Sequence, residues 1–93
     1  LPRISADRGD ASVTLTSVDA ETQRFDTTLT ANRTVTLPSS NVRKGDKFWI
    51  VRTGLGAFTL NVGGLKTIPA ATAATVVVQY NGTVWQLIGY MLL

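Results

Sequence analysis

Histidine and cysteine are both missing from this chain of 93 residues, and the two absences close off most common active-site chemistry. Neither a Ser–His–Asp nor a Cys–His nucleophile can be assembled, and the usual zinc ligand sets are gone. Without cysteine there is no disulfide staple, and nothing about the redox compartment can be read. The nearest carboxylate pair, Asp19 and Glu21, sits in one turn. Glycoside hydrolysis needs two carboxylates facing each other across a sugar bond, so these two read as turn residues. No catalytic residue, metal site or cofactor is expected. Long apolar runs are also missing: nothing approaches the ~20 residues of a membrane-crossing helix, and no signal-peptide pattern opens the chain. Membrane insertion is not expected. A helical period is absent too, and the alanine-rich residues 70–74 are too few to hold a helix alone.

Charge is sparse, at +3 net, and unevenly placed. Up to Asn32, Arg3, Arg8 and Arg24 stand against Asp7, Asp10, Asp19, Glu21 and Asp26. From Arg33 onward Arg43, Lys44, Lys47, Arg52 and Lys66 join it against Asp46 alone. The cations are spread rather than clustered, as solubilising charges on loops and edge strands are, so nucleic acid is not the expected partner. Arg8-Gly9-Asp10 reads as a polar turn, and Gly54-Leu55-Gly56 and Gly63-Gly64 lack the strand-to-helix context of a phosphate loop.

What the chain does have is short-period alternation. Residues 1–10 are polar and suit a linker from an upstream domain, leaving 11–93 as a single domain. Strands are expected over 11–18, 22–29, 33–37, 47–52, 58–62 and 65–68, at the turn spacing of an all-β sandwich or barrel. The strongest local signal is Asn81-Gly82, the favoured pair for a two-residue hairpin turn. Counting outward from such a turn puts Val76, Val78, Tyr80, Thr83, Trp85 and Leu87 on a core face. The opposite face then carries Val77, Gln79, Val84, Gln86, Ile88 and Tyr90, too apolar for a solvated surface and too polar for a core. Such a face suits coverage by another chain. At 44% hydrophobic residues a chain this short buries only roughly two-thirds of its unfolded surface, so a partner would help it.

Residues 30–38, TANRTVTLP, followed by a Lys-Gly-Asp turn and the strand Phe-Trp-Ile-Val-Arg, resemble a module of bacteriophage tail fibres and tailspikes. Residues 60–66, LNVGGLK, and 78–87, VQYNGTVWQL, are similar to the same module. The resemblance implies a C-terminal sandwich that trimerises at the far end of a fibre and, in some members, touches glycan. It also implies that polysaccharide-cleaving carboxylates would belong to an upstream β-helix. The expected fold is an all-β, jelly-roll-like (tumour-necrosis-factor-like) antiparallel β-sandwich of about eight short strands.

The function expected is a non-catalytic homotrimerisation domain at the tip of an extracellular virion appendage. Its subunit interface is expected at Val77, Val84, Ile88, Tyr90 and Leu92. Trp49, out of phase with Phe48 and Ile50, points outward and is either an interface anchor or, with Lys47 and Arg52, a platform for bacterial polysaccharide or lipopolysaccharide. Trp85 reads as core. The alternative is a monomeric carbohydrate-binding module, and a basic β-domain for nucleic acid stands third.

Overall fold

The computed structural model describes residues 3–93 as nine strands, with no helix among them. They are β1 (Ile4–Asp7), β2 (Val13–Thr14), β3 (Thr22–Phe25), β4 (Arg33–Thr36), β5 (Lys47–Arg52), β6 (Leu60–Val62), β7 (Lys66–Ile68), β8 (Ala74–Tyr80) and β9 (Trp85–Leu92). Two sheets share them, one ordered β1-β3-β5-β8-β9 and the other β2-β4-β6-β7. Up to β6 the chain changes sheet at every corner, so each strand pairs in parallel with the strand two before it. The path then reverses, and β6–β7, β5–β8 and β8–β9 are antiparallel.

The all-β, two-sheet architecture is therefore as expected, while the uniformly antiparallel, jelly-roll-like pairing is not. Parallel neighbours need a crossover, which in most folds is a helix. Here the crossover is a strand of the opposite sheet, so the chain returns in the direction it left. Ile4–Asp7, within the stretch expected to be a linker, is a paired strand of this winding.

The inner faces meet in one apolar core. Phe25, Ile50 and Val76 come from the first sheet, and Val35, Leu60 and Ile68 from the second, each at 0% exposure. Alternation along each short strand delivers these residues inward, which is why strands of only three or four residues suffice. The corners are tied by short polar side chains from one coil to the next. The Asp7 carboxylate accepts from the Asp26 N–H (3.0 Å) and the Thr27 hydroxyl (2.5 Å), and Asp26 in turn accepts from the Thr53 hydroxyl (2.5 Å). Asp10 takes the Thr30 N–H (3.0 Å), the Thr30 hydroxyl and the Arg33 Nε–H (3.0 Å). At the corner of Asp26 and Thr53 the N–H groups of Thr53 and Gly54 donate to the Phe25 carbonyl. A Cβ at Gly54 would lie 2.2 Å from the Thr27 carbonyl oxygen, so glycine alone fits between the coils.

The final hairpin has its Asn-Gly turn, but the turn is longer than two residues. Asn81 donates its N–H to the Val84 carbonyl (3.0 Å), and its side-chain oxygen accepts from the N–H groups of Thr83 (2.8 Å) and Val84 (2.9 Å). Gly82 sits at φ +101°, where a side chain is strained. Tyr80 consequently pairs with Trp85 rather than Thr83. Farther along, Val78 pairs with Leu87 but Val77 pairs with Gly89, leaving Ile88 as the extra residue of a bulge.

The tied carboxylates make acid the natural stress on this fold. Asp10 is lowered from 3.8 to about 2, first by its hydrogen bond from Arg33 and then by Thr30. Asp7 is lowered chiefly by Thr27, and Asp26 chiefly by Thr53 and then Arg24. An acid lowered in the folded state contributes its stability fully above the unfolded value and loses it as pH falls through the folded value. Melting temperature should hold level down to about pH 5, then fall between 3.8 and about 2. Asp10→Asn should melt lower than the unmodified chain at neutral pH, with the two curves meeting at the acid end. Thermal melts across that range check it.

Candidate functional site: the free edge and outer face of the larger sheet

Alternation along β5 sorts the expected glycan residues. Phe48, Ile50 and Arg52 turn inward, and Lys47, Trp49 and Val51 outward. Trp49 lies in register between Thr22 of β3 and Val77 of β8, half-buried, with Lys47 two residues along on the same face. The structure keeps that pair together. Arg52 is a correction: at 0% exposure it cannot meet a glycan. Its guanidinium donates to the carbonyls of Gly54 (Nε, 2.9 Å), Pro69 (Nη1, 3.0 Å) and Phe58 (Nη2, 2.8 Å), and burial lowers its pKa. No carboxylate pairs with it among the described residues.

The five expected interface residues divide in the same way. Val84 (53%), Ile88 (51%) and Leu92 (69%) are exposed apolar side chains on or beside β9, the last strand of its sheet and therefore a free edge. Val77 is 4% exposed, between Trp49 and Gly89 on the outer face, so the fold has already covered it. Tyr90 is the second correction. The bulge at Ile88 adds one residue, and a one-residue slip moves all that follows to the other face. Tyr90 therefore pairs with Val76 and packs against the core, with the Lys66 ammonium 4.3 Å from its ring centre. The same slip aligns Leu92 with Ala74.

Residues the sequence reading left out complete the patch. Leu87, expected in the core, is 40% exposed, and Met91 and Leu93 are exposed as well. A signal for them was available, because no charged side chain follows Lys66. Trp85 does pack on the core, against Phe48 at 5.6 Å between ring centres.

The carboxylates offer little to an acid–base mechanism. Every displaced one is displaced downward and engaged by hydroxyl or N–H donors, whereas a general acid needs its pKa raised. Among the described residues no three of Asp, Glu, His or Cys gather as a metal site. No helix among them is long and apolar enough to cross a membrane.

Arg52 should thus matter for stability. Arg52→Met strands three carbonyls, each worth about 1–3 kcal/mol when left unpaired, so a loss of about 3 kcal/mol or more is expected. Arg52→Lys should not restore it, since an ammonium cannot span three separated carbonyls as a planar fork does. Urea unfolding midpoints measure both, and an unmoved midpoint would contradict this role. Comparison with known proteins finds no family model, no curated protein and no solved structure that matches this chain.

Proposed function

We propose that this chain is a non-catalytic assembly module, a homotrimerising β-domain at the tip of a bacteriophage tail fibre or tailspike, outside the bacterial cell. The observation that carries the assembly reading is β9. It is an eight-residue edge strand with no charged side chain, and Leu87, Ile88, Met91 and Leu92 along it are all exposed. Natural sheets protect such edges with charge, proline, brevity, a bulge or a covering segment, and β9 has only the bulge at Ile88, which leaves its apolar side chains exposed. A covering chain is the remaining device. Three copies packed about an axis would bury these side chains and fix the register of whatever each chain is joined to. The tail-fibre assignment rests on the resemblance of residues 30–38, 60–66 and 78–87.

The outer face with Trp49 beside Lys47 is the surface this reading offers to bacterial polysaccharide or lipopolysaccharide. A monomeric carbohydrate-binding module is the weaker alternative, since it would leave the β9 edge open to uncontrolled pairing. Ile88→Asp tests the proposal, because assembly would force three carboxylates out of water together. The variant should elute later than the unmodified chain on size exclusion. Val18→Asp, at an apolar site 75% exposed and outside β9, should elute with the unmodified chain. Equal elution of all three would overturn the assembly reading.

A further inference from the structure

The turn between β8 and β9 holds an electrophile and a nucleophile side by side. Of Asn32, Asn41, Asn61 and Asn81, only Asn81 is followed by glycine. The bond from the Thr83 N–H to Asn81 Oδ1 (2.8 Å) closes a ring that contains the Gly82 nitrogen, so the side-chain amide is bent back toward that nitrogen. A second N–H, from Val84, reaches the same oxygen at 2.9 Å. Asn81 Nδ2 and the Gly82 N–H donate to nothing among the described residues. Both residues are exposed, and glycine has no side chain to shield its nitrogen. The Lys44 stem lies beside Gly82, its Cβ and Cδ 3.6 and 3.9 Å from where a Cβ of Gly82 would stand. A positive charge is thus tethered near an amide that must lose a proton to react. The other asparagines lack this set. The N–H that follows Asn32, on Arg33, is spent on the Thr59 carbonyl at 2.9 Å, and Asn61 is pinned through Nδ2 to the Thr67 hydroxyl at 2.8 Å.

We infer that Asn81 is a site of self-modification, at which the fold promotes loss of the side-chain amide. The Gly82 nitrogen gives its proton to water or hydroxide and attacks Asn81 Cγ. The N–Cγ bond forms, the Cγ–Nδ2 bond breaks, and Nδ2 leaves as ammonia. The five-membered succinimide then takes up water. Opening at Cγ leaves an aspartyl residue, and opening at the main-chain carbonyl of the same residue leaves an isoaspartyl one. Negative charge gathers on Oδ1 as the nitrogen attacks, and the Thr83 and Val84 N–H groups are already aimed at that oxygen. The closed ring supplies the approach, so water is the one co-reactant. Either product carries the first charge to follow Lys66 in the chain. The isoaspartyl product also adds a main-chain carbon to the turn that sets the register of β8 against β9. The site does not depend on the assembly reading.

Incubation of the full chain at neutral pH, folded in one arm and unfolded in guanidinium chloride in the other, tests it by mass spectrometry of tryptic peptides. Residues 67–93 form one such peptide, in which Asn81 is the sole asparagine. The folded chain should convert Asn81 about tenfold faster than the unfolded one, the effect of two modest hydrogen bonds that strengthen in the transition state. Hydroxylamine, which attacks a succinimide, should cut the folded chain between Asn81 and Gly82. Gly82→Ala should slow conversion in both arms, including guanidinium, where the strain of a side chain at φ +101° plays no part. Ile88→Asp should convert as the unmodified chain does, which separates failure of this site from failure of the assembly reading. Conversion no faster in the folded chain than in guanidinium would overturn the inference. Folded-state conversion of Asn32, Asn41 or Asn61 at the rate of Asn81 would overturn it too.

Discussion

A guanidinium with no counter-ion among the described side chains holds the turning point of this fold. Arg52 ends β5, the last strand of the parallel winding in its sheet, and reaches the carbonyls of Gly54 and Phe58 on the way out to the second sheet. It also reaches Pro69 on the way back, just before β8. One side chain thus joins the two crossings between which the chain changes from parallel to antiparallel pairing. A buried charge without a carboxylate is costly unless its donors are all used, and here the fork geometry lets three separate carbonyls use them. Those carbonyls lie in irregular chain with no sheet partner to accept from, so each side of the contact needs the other.

That constraint also fixes where function can and cannot lie. With Arg52 committed inward, the outer face of the larger sheet keeps only Lys47 and Trp49 of its expected trio. With the bulge at Ile88, Tyr90 is half-buried against the core, with the Lys66 ammonium over its ring. Of the eleven exposed large apolar side chains among the described residues, six lie on β9 or beside it. Upstream, short acidic side chains are spent on the corners, holding one coil against the next and staying ionised to do so. The chain therefore separates into a polar-tied winding and an antiparallel end with no charged side chain after Lys66.

Much of this was legible in the residues. The existence of most strands followed from period-two alternation, β5 with its bounds, and the inward or outward sense of Phe48, Trp49 and Ile50 followed with it. The same alternation places Arg52 inward; charge alone suggested otherwise. Parallel pairing was hidden because strand direction is set by which sheet each corner feeds, and no local pattern records that. Asn81-Gly82 marked its turn, but the Asn81 side chain accepting two N–H groups lengthened it to four residues. The bulge at Ile88 was invisible to a count made outward from the turn, and it turned Tyr90 to the other face of the strand, where the ring is half-buried against the core.

The central claim is that β9 is an edge made to be covered by other copies of the same chain. The absolute mass of the unmodified protein by light scattering tests it most directly. The account predicts a species of three times the 10.0 kDa chain mass, stable to dilution. A species of 10.0 kDa at every concentration would contradict it.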